Sequence, residues 1–349
     1  MMEGRMKAAV LYKPLDMRIE EVDTPQISSR DVLVRTKVVG ICGSDVHYFQ
    51  HGRIGSFVVE KPHILGHEFS GDIVELGDEV TGLEVGQRVV VEPGRTCGKC
   101  RYCREGRYNL CSEMRFHGTP PHNGAFAEYI AVPENVFLMP EKMSYEEGAM
   151  IEPLAVGMMA AERGRVSVHD TVAILGAGPI GQMALQAVKA HGVLETYVTD
   201  VEDYRLDYAQ KYGAKAVINP AKEDVVDTIM KITDSEGVDV VIEASGAKSA
   251  IGQAFEIIRP GGRIVHVGYP PTDVQVPLTD VIINELDILG VRRYANVFQT
   301  AIKSVSLGRA LVKPFITHRF PFEKILEGFE THIERIGNPM KVQIIMQNA

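Results

Sequence analysis

Apolar and polar positions follow two different rhythms along this chain. Through residues 1–150 they come as short runs, MKAAVLY, DVLVRTKVVG, GDIVELG and QRVVVEP, rich in Val and Ile and broken by Gly and Pro. Such runs suit the strands of an irregular β-sandwich or barrel, because turn residues close each run before a helical period can develop. From about residue 170 apolar strands alternate with amphipathic stretches. TVAIL precedes QMALQAVKAHG, TYVTD precedes YRLDYAQKYGA, AVIN precedes EDVVDTIMKITDSEG, VDVVIEA precedes SAIGQAFEIIRPGG, and RIVHVG follows. This alternation predicts βαβ units around a parallel sheet covered on both faces, with LDILGVRR as its sixth strand. The tail, 295–349, fits neither rhythm and holds helix-like segments before a closing KVQIIM strand. The fold class is α/β with a β-rich domain in front.

A length of 349 residues leaves room for two domains, and a 45% hydrophobic content supplies their cores. The net charge of −9 provides no basic field for nucleic acid or an anionic membrane. No uncharged apolar stretch is long enough to span a bilayer, and the N-terminus lacks the apolar core of a signal peptide. A cytoplasmic location is therefore expected. In that reducing compartment clustered cysteines serve as metal ligands more readily than as disulfides. Residues 1–5 carry no assignable role.

Gly176, Gly178 and Gly181 form G-x-G-x-x-G between an apolar strand and the start of a helix. There, glycines let the backbone turn tightly and approach a pyrophosphate, and the helix N-terminus offers unpaired N–H groups. Asp200 closes the next strand, where a carboxylate accepts hydrogen bonds from the adenosine ribose and repels a 2′-phosphate, so NAD is favoured over NADP. Arg205 tempers that preference. Pro179 and Ile180 in the glycine loop, with Val267, Gly268, Tyr269, Val291, Arg292 and Arg293 at later strand ends, complete the candidate cofactor-binding set.

Four of the five cysteines, Cys97, Cys100, Cys103 and Cys111, are spaced C-x₂-C-x₂-C-x₇-C. Four soft thiolates on one loop suit tetrahedral zinc; the long last gap and the following Ser112 do not match the ferredoxin cluster run. A site closed by four protein ligands is structural. Cys42 stands apart, upstream of His67 and Glu68 in GHE. A thiolate, an imidazole and a carboxylate could hold a second zinc with one position open, although a lone Cys is usually a small core residue.

Taken together, the glycine motif, the cysteine loop, GICGSD and GHE resemble the zinc-dependent medium-chain dehydrogenases along essentially the whole chain. The resemblance implies a GroES-like catalytic domain from residues 1–154 and 292–349, with a Rossmann NAD-binding domain, 155–291, inserted. Alcohol dehydrogenases of the family use a second cysteine as catalytic zinc ligand. In the segment IEPLAVG that position is Glu152, and no cysteine remains for it. GHE with IEPLAVG is similar to the sorbitol (polyol) dehydrogenases, as are SDVHYFQHGRIG, EPG, GRYNLC, TPPHNGAFAEY, GVRRYAN and VKPFITHRFP.

That likeness implies catalytic zinc on Cys42, His67 and Glu68, a water or substrate held by Glu152, and substrate contacts from Tyr48, Arg293 and Tyr294. It implies proton release through Ser44 and His47, with Glu152 and water as another exit. The implied activity is NAD-dependent oxidation of a secondary hydroxyl of a sorbitol- or xylitol-type polyol, by a homotetramer with one catalytic and one structural zinc per chain. L-Threonine 3-dehydrogenase and 2,3-butanediol dehydrogenase are the nearest rivals, and a catalytically silent relative is the non-enzyme alternative.

Overall fold

The computed structural model describes residues 4–346; the first three of the five N-terminal residues without an assigned role lie outside that range. The chain forms two units, Met1–Glu152 with Lys313–Ala349, and Pro153–Val312. It leaves the first unit inside the helix Ile151–Arg163 and returns at Lys313, later than the residue 292 expected from sequence. The difference has a packing cause. The helix Phe298–Ser306 buries Phe298, Ala301 and Ile302, and the Leu311 N–H donates to Gln186 Oε1 at 3.1 Å, tying this stretch to the second unit. Arg292, Arg293 and Tyr294 therefore belong to the second unit and not to the catalytic domain assumed for them.

In the first unit, DVLVRTKVVG forms the strand Asp31–Gly40, buried along nearly its whole length. A strand so enclosed needs apolar side chains on both faces, which is why its alternation is weak. It sits inside a seven-stranded sheet, antiparallel to Glu68–Leu76 and to Lys341–Ile345. Lys341–Ile345 also pairs, in parallel, with Ile316–Pro321. The closing strand of the tail thus lies beside the strand that leads into Cys42. A second sheet joins Asp16–Asp23, Arg5–Lys13 and His63–Ile64. The core of the unit includes the rings of Phe49, Phe126 and Phe329, with centroids 5.1 and 5.8 Å from Phe329 in tilted and edge-on arrangements that ring quadrupoles favour.

The second unit holds six parallel strands in the order Ala216–Ile218, Glu195–Thr199, Thr171–Leu175, Val238–Glu243, Ile258–His266, Asp287–Gly290. Each was expected from the apolar runs, as were the helices Pro179–Ala190, Asp203–Tyr212, Val225–Ile232 and Lys248–Ile257 between them. The order reverses beside Thr171–Leu175, and the loops at that switch point carry GAGPIG and EASG. The helix Leu278–Ile283 was not foreseen, because it has no buried face to impose a period. Among the described residues no helix is long and apolar enough to cross a membrane.

Candidate functional site

Strand register builds the first centre. Gly40 pairs with Glu68, so the segments GIC and GHE meet at one end of the sheet. A Cβ at Gly40 would lie 2.3 Å from Glu68 Oε2, so only glycine leaves that carboxylate its place. Cys42 is the N-cap of the helix Gly43–His51, with its N–H donating to Asp45 Oδ2 at 3.0 Å. One donor atom each from Cys42, His67 and Glu68 then falls within 4.8 Å of the others.

Asp45 fixes this geometry, and nothing in its residue pattern singles it out beyond its place in GSD. Fully buried, it accepts the Gly66 N–H at 3.1 Å on Oδ1, which also lies 3.5 Å from His67 Nδ1. A carboxylate on one ring nitrogen leaves the other as a metal donor. Burial opposes a charge on His67, but Asp45 and Cys42 outweigh it and hold its pKa well above that of an ordinary histidine. A centre this anionic attracts a cation. Among the described residues the cluster offers a thiolate, an imidazole and a carboxylate, a set that matches a zinc site with an open position.

A second residue went unseen in the sequence. Lys341 is buried, and its Nζ lies 2.7 Å from both Oε1 and Oε2 of Glu68 and 3.3 Å from the Ile41 carbonyl. Burial opposes its charge, and Glu68, Cys42 and Glu152 together reverse the effect and raise its pKa. Glu152 is buried in the first turn of its helix. Glu92, of the EPG segment, is pushed up to about 7 by burial, with Glu152 adding to the rise and the Tyr108 hydroxyl, donating at 3.1 Å, opposing it.

Ser44, His47 and Tyr48 all lie on the helix that Cys42 caps; Tyr48 is buried, Ser44 half-buried and His47 exposed. His47 Nδ1 is 2.8 Å from the Arg53 carbonyl, a contact that puts the proton on Nδ1 and the lone pair on Nε2. Arg293 and Tyr294 are in the other unit. Arg293 has a left-handed backbone, φ 54°, and the buried Tyr294 ring packs 5.0 Å from Phe298.

Cys97, Cys100, Cys103 and Cys111 form the second cluster, again with donor atoms within 4.8 Å of one another. Cys97 Sγ is 4.0 Å and Cys100 Sγ 3.5 Å from Cys103 Sγ. Those separations exceed a disulfide bond and bracket the ~3.8 Å edge of a tetrahedron with ~2.3 Å zinc–sulfur bonds. The Lys99 and Cys100 N–H groups draw the Cys97 thiol down to about 7.

In the second unit, Asp200 joins the glycine loop to the end of the neighbouring strand. Its Oδ2 accepts the Ala177 N–H at 2.8 Å, its Oδ1 accepts the Glu202 N–H at 2.9 Å, and Arg205 Nη1 lies 3.6 Å away. Two of the glycines have internal reasons. Gly176 takes φ 101° against Ser245, and a Cβ on Gly181 would sit 1.8 Å from the Gly176 carbonyl oxygen. Gly178, which caps the helix Pro179–Ala190, faces only Arg205 Nη1 at 3.8 Å. Nothing in the protein forbids a side chain there, so the open space fits a ligand phosphate. Val267 and Gly268 donate to the Glu243 carbonyl, Tyr269 is exposed, and Val291 donates to the His266 carbonyl. Pro179 and Ile180 open the helix.

Residues 28–141 match the model of the alcohol dehydrogenase GroES-like domain, and residues 179–306 that of zinc-binding dehydrogenases. The chain is 43% identical to the sorbitol dehydrogenase of Bacillus subtilis, covering 97% of each, and 41% identical to L-idonate 5-dehydrogenase of Vitis vinifera, covering 96% and 93%. A solved Escherichia coli CFT073 alcohol dehydrogenase complexed with NADH superposes with a TM-score of 0.91 at 30% identity, over 98% of this chain and 99% of that one. The donor sets and the glycine loop agree with these likenesses, and the chain belongs to the zinc-dependent medium-chain dehydrogenases of sorbitol dehydrogenase type.

Proposed function

We propose that the protein oxidises a secondary hydroxyl of a sorbitol- or xylitol-type polyol to the ketose with NAD, using one catalytic and one structural zinc per chain. The convergence of Cys42, His67 and Glu68 beside a buried Glu152, without a second cysteine, carries this reading. Zinc held by those three ligands would lend a substrate hydroxyl its Lewis acidity, and NAD would take the hydride. Asp45 holds His67 in the tautomer that can ligate. Glu152, buried in the first turn of its helix, holds water or a substrate hydroxyl. The proton leaves through the Ser44 hydroxyl, three residues before His47 on the same helix, to His47 Nε2 and solvent. Asp200, already accepting two backbone N–H groups, offers its remaining lone pairs to the adenosine ribose and opposes a 2′-phosphate. Arg293 and Tyr294 are the candidate contacts for further polyol hydroxyls, as the resemblance to the sorbitol dehydrogenases implies.

The four-thiolate loop holds the structural zinc, and thiolate ligands of this kind suit a reducing, cytoplasmic compartment. Assembly of copies of the chain is supported by Leu278, Ile282 and Ile283, exposed on the helix that leads into the edge strand Asp287–Gly290, and the homotetramer is the number the resemblance implies. Light scattering on the purified chain measures that assembly.

The test of function is the initial rate of NADH formation with sorbitol, xylitol, L-threonine and 2,3-butanediol side by side, on protein whose zinc content has been measured. Sorbitol or xylitol leading at two zinc per chain is the expected outcome. Threonine or butanediol leading would keep the fold and overturn the substrate class. Two bound zinc ions with no turnover of any of the four would favour a silent relative.

A further inference from the structure

We infer that Lys341 is a positioning residue of the catalytic metal centre, holding the carboxylate of Glu68 and the segment of Cys42 in ligating register from the far end of the chain. The inference rests on the ligand set proposed above and adds to it a residue that makes no contact with the metal itself.

Three observations carry it. The Lys341 ammonium is equidistant, at 2.7 Å, from both oxygens of Glu68, so it restrains the rotation of the carboxylate as well as its place. The same Nζ donates to the carbonyl of Ile41, whose neighbour is Cys42, while Glu68 is the neighbour of His67. One buried ammonium therefore spans the two segments that deliver all three ligands. The absent side chain of Gly40 leaves Glu68 Oε2 its room, since a Cβ there would come within 2.3 Å. Both the Lys341 ammonium and the bare backbone of Gly40 thus bear on the position of the Glu68 carboxylate.

A stabilising role alone accounts poorly for such a pair. Lys341 and Glu68 side chains are 3% and 1% exposed, and the desolvation of two charges at that depth offsets most of their attraction. What the pair does supply is direction. Each oxygen of Glu68 keeps a lone pair beyond the one facing Lys341, and those are the electrons a metal needs. The ammonium is itself anchored, because the strand Lys341–Ile345 is hydrogen-bonded between Asp31–Gly40 and Ile316–Pro321.

The experiment is removal of zinc by a chromophoric chelator from the full-length protein, counting both ions, in wild type and in Lys341→Met, whose apolar chain fills a similar space. The expected result is loss of one zinc per chain at least about tenfold faster in the variant, with the four-cysteine zinc unaffected, as for other outer-sphere supports of metal ligands. Cobalt substituted at the catalytic position should show altered visible absorption in the variant, which a distant packing defect would leave alone. The double variant separates mechanisms. In a Glu68→Gln background Lys341→Met should add less than it does alone, because the carboxylate it steadies is already altered and only its bond to the Ile41 carbonyl remains to be lost.

Zinc release at the wild-type rate from folded Lys341→Met would overturn the inference, and so would effects that multiply in the double variant. Wild-type protein that binds zinc on the four cysteines alone, with no cobalt spectrum from the Cys42, His67 and Glu68 site, would instead remove the proposed ligand set and this inference with it, a failure distinguishable from the first two. If Lys341→Met does not fold, Lys341→Gln, which keeps a donor for Ile41, carries the same expected direction.

Discussion

Replacing Asp45 by asparagine tests the electrostatic frame of the metal centre. The native carboxylate serves three N–H groups: Cys42 N–H at 3.0 Å on one oxygen, and Gly66 N–H at 3.1 Å with His67 Nδ1 at 3.5 Å on the other. Asparagine has one oxygen and one NH₂. If the NH₂ faces Cys42, two donors oppose each other at the helix cap, and an orphaned buried donor costs roughly 1–3 kcal/mol. If it faces His67, the ring must present a lone pair at Nδ1. The proton then moves to Nε2, the nitrogen needed for a metal. Either orientation weakens zinc binding by about ten- to a hundredfold, the usual range for losing such a partner. Chelator competition on the intact protein reads this directly, and the zinc proposed for the four cysteines is the internal control. Asp45→Asn protein that holds both zinc ions as tightly as wild type, with unchanged melting temperature, would refute the argument.

Glu92 predicts a pH dependence of stability. Its carboxyl titrates at about 7 in the folded protein, above the ordinary 4.5, so between those values the folded state keeps a proton that the unfolded state has released. Stability from this group is present at the acid end and is lost as pH rises to about 7, by up to about 3 kcal/mol in total. Glu92→Gln keeps an acceptor for Tyr108 and removes the charge. Denaturant unfolding should find the variant more stable than wild type at pH 8 and equal to it near pH 5; the same gap at both would defeat the assignment. Asp200→Ser removes the repulsion of a 2′-phosphate and leaves Arg205 in place. The preference for NAD over NADP, measured as a ratio of kcat/KM values, should fall at least about tenfold, in the range typical of one buried charged partner. A preserved ratio would mean that Asp200 only braces the glycine loop.

Much of the architecture was legible because it is local. Each of the six parallel strands is an apolar run bounded by turn residues, and the helices between them carry a 3.6-residue period that burial imposes. The cysteine loop was equally plain: its four donors sit within fifteen positions, and folding only had to curl one segment around them. The substitution of Glu152 for a second catalytic cysteine was visible for a different reason, since it is an absence that no folding changes.

What the sequence by itself determined, then, is the six parallel strands with the helices between them, the two motif loops and the chemical inventory of the centre. Tertiary structure alone decided how that inventory is held. Lys341 looks like an ordinary strand-end lysine, and only the insertion of its strand beside Asp31–Gly40 sets its ammonium on Glu68, 273 residues away. Asp45 looks like a helix-start acid, and only folding turns it toward Gly66 and His67. The return to the first unit at Lys313 was likewise set by burial of the helix Phe298–Ser306, which its residue pattern does not assign to either neighbour. Short-range periodicity records which face of an element is buried; it carries no address for the partner, and at this centre the partners come from opposite ends of the chain.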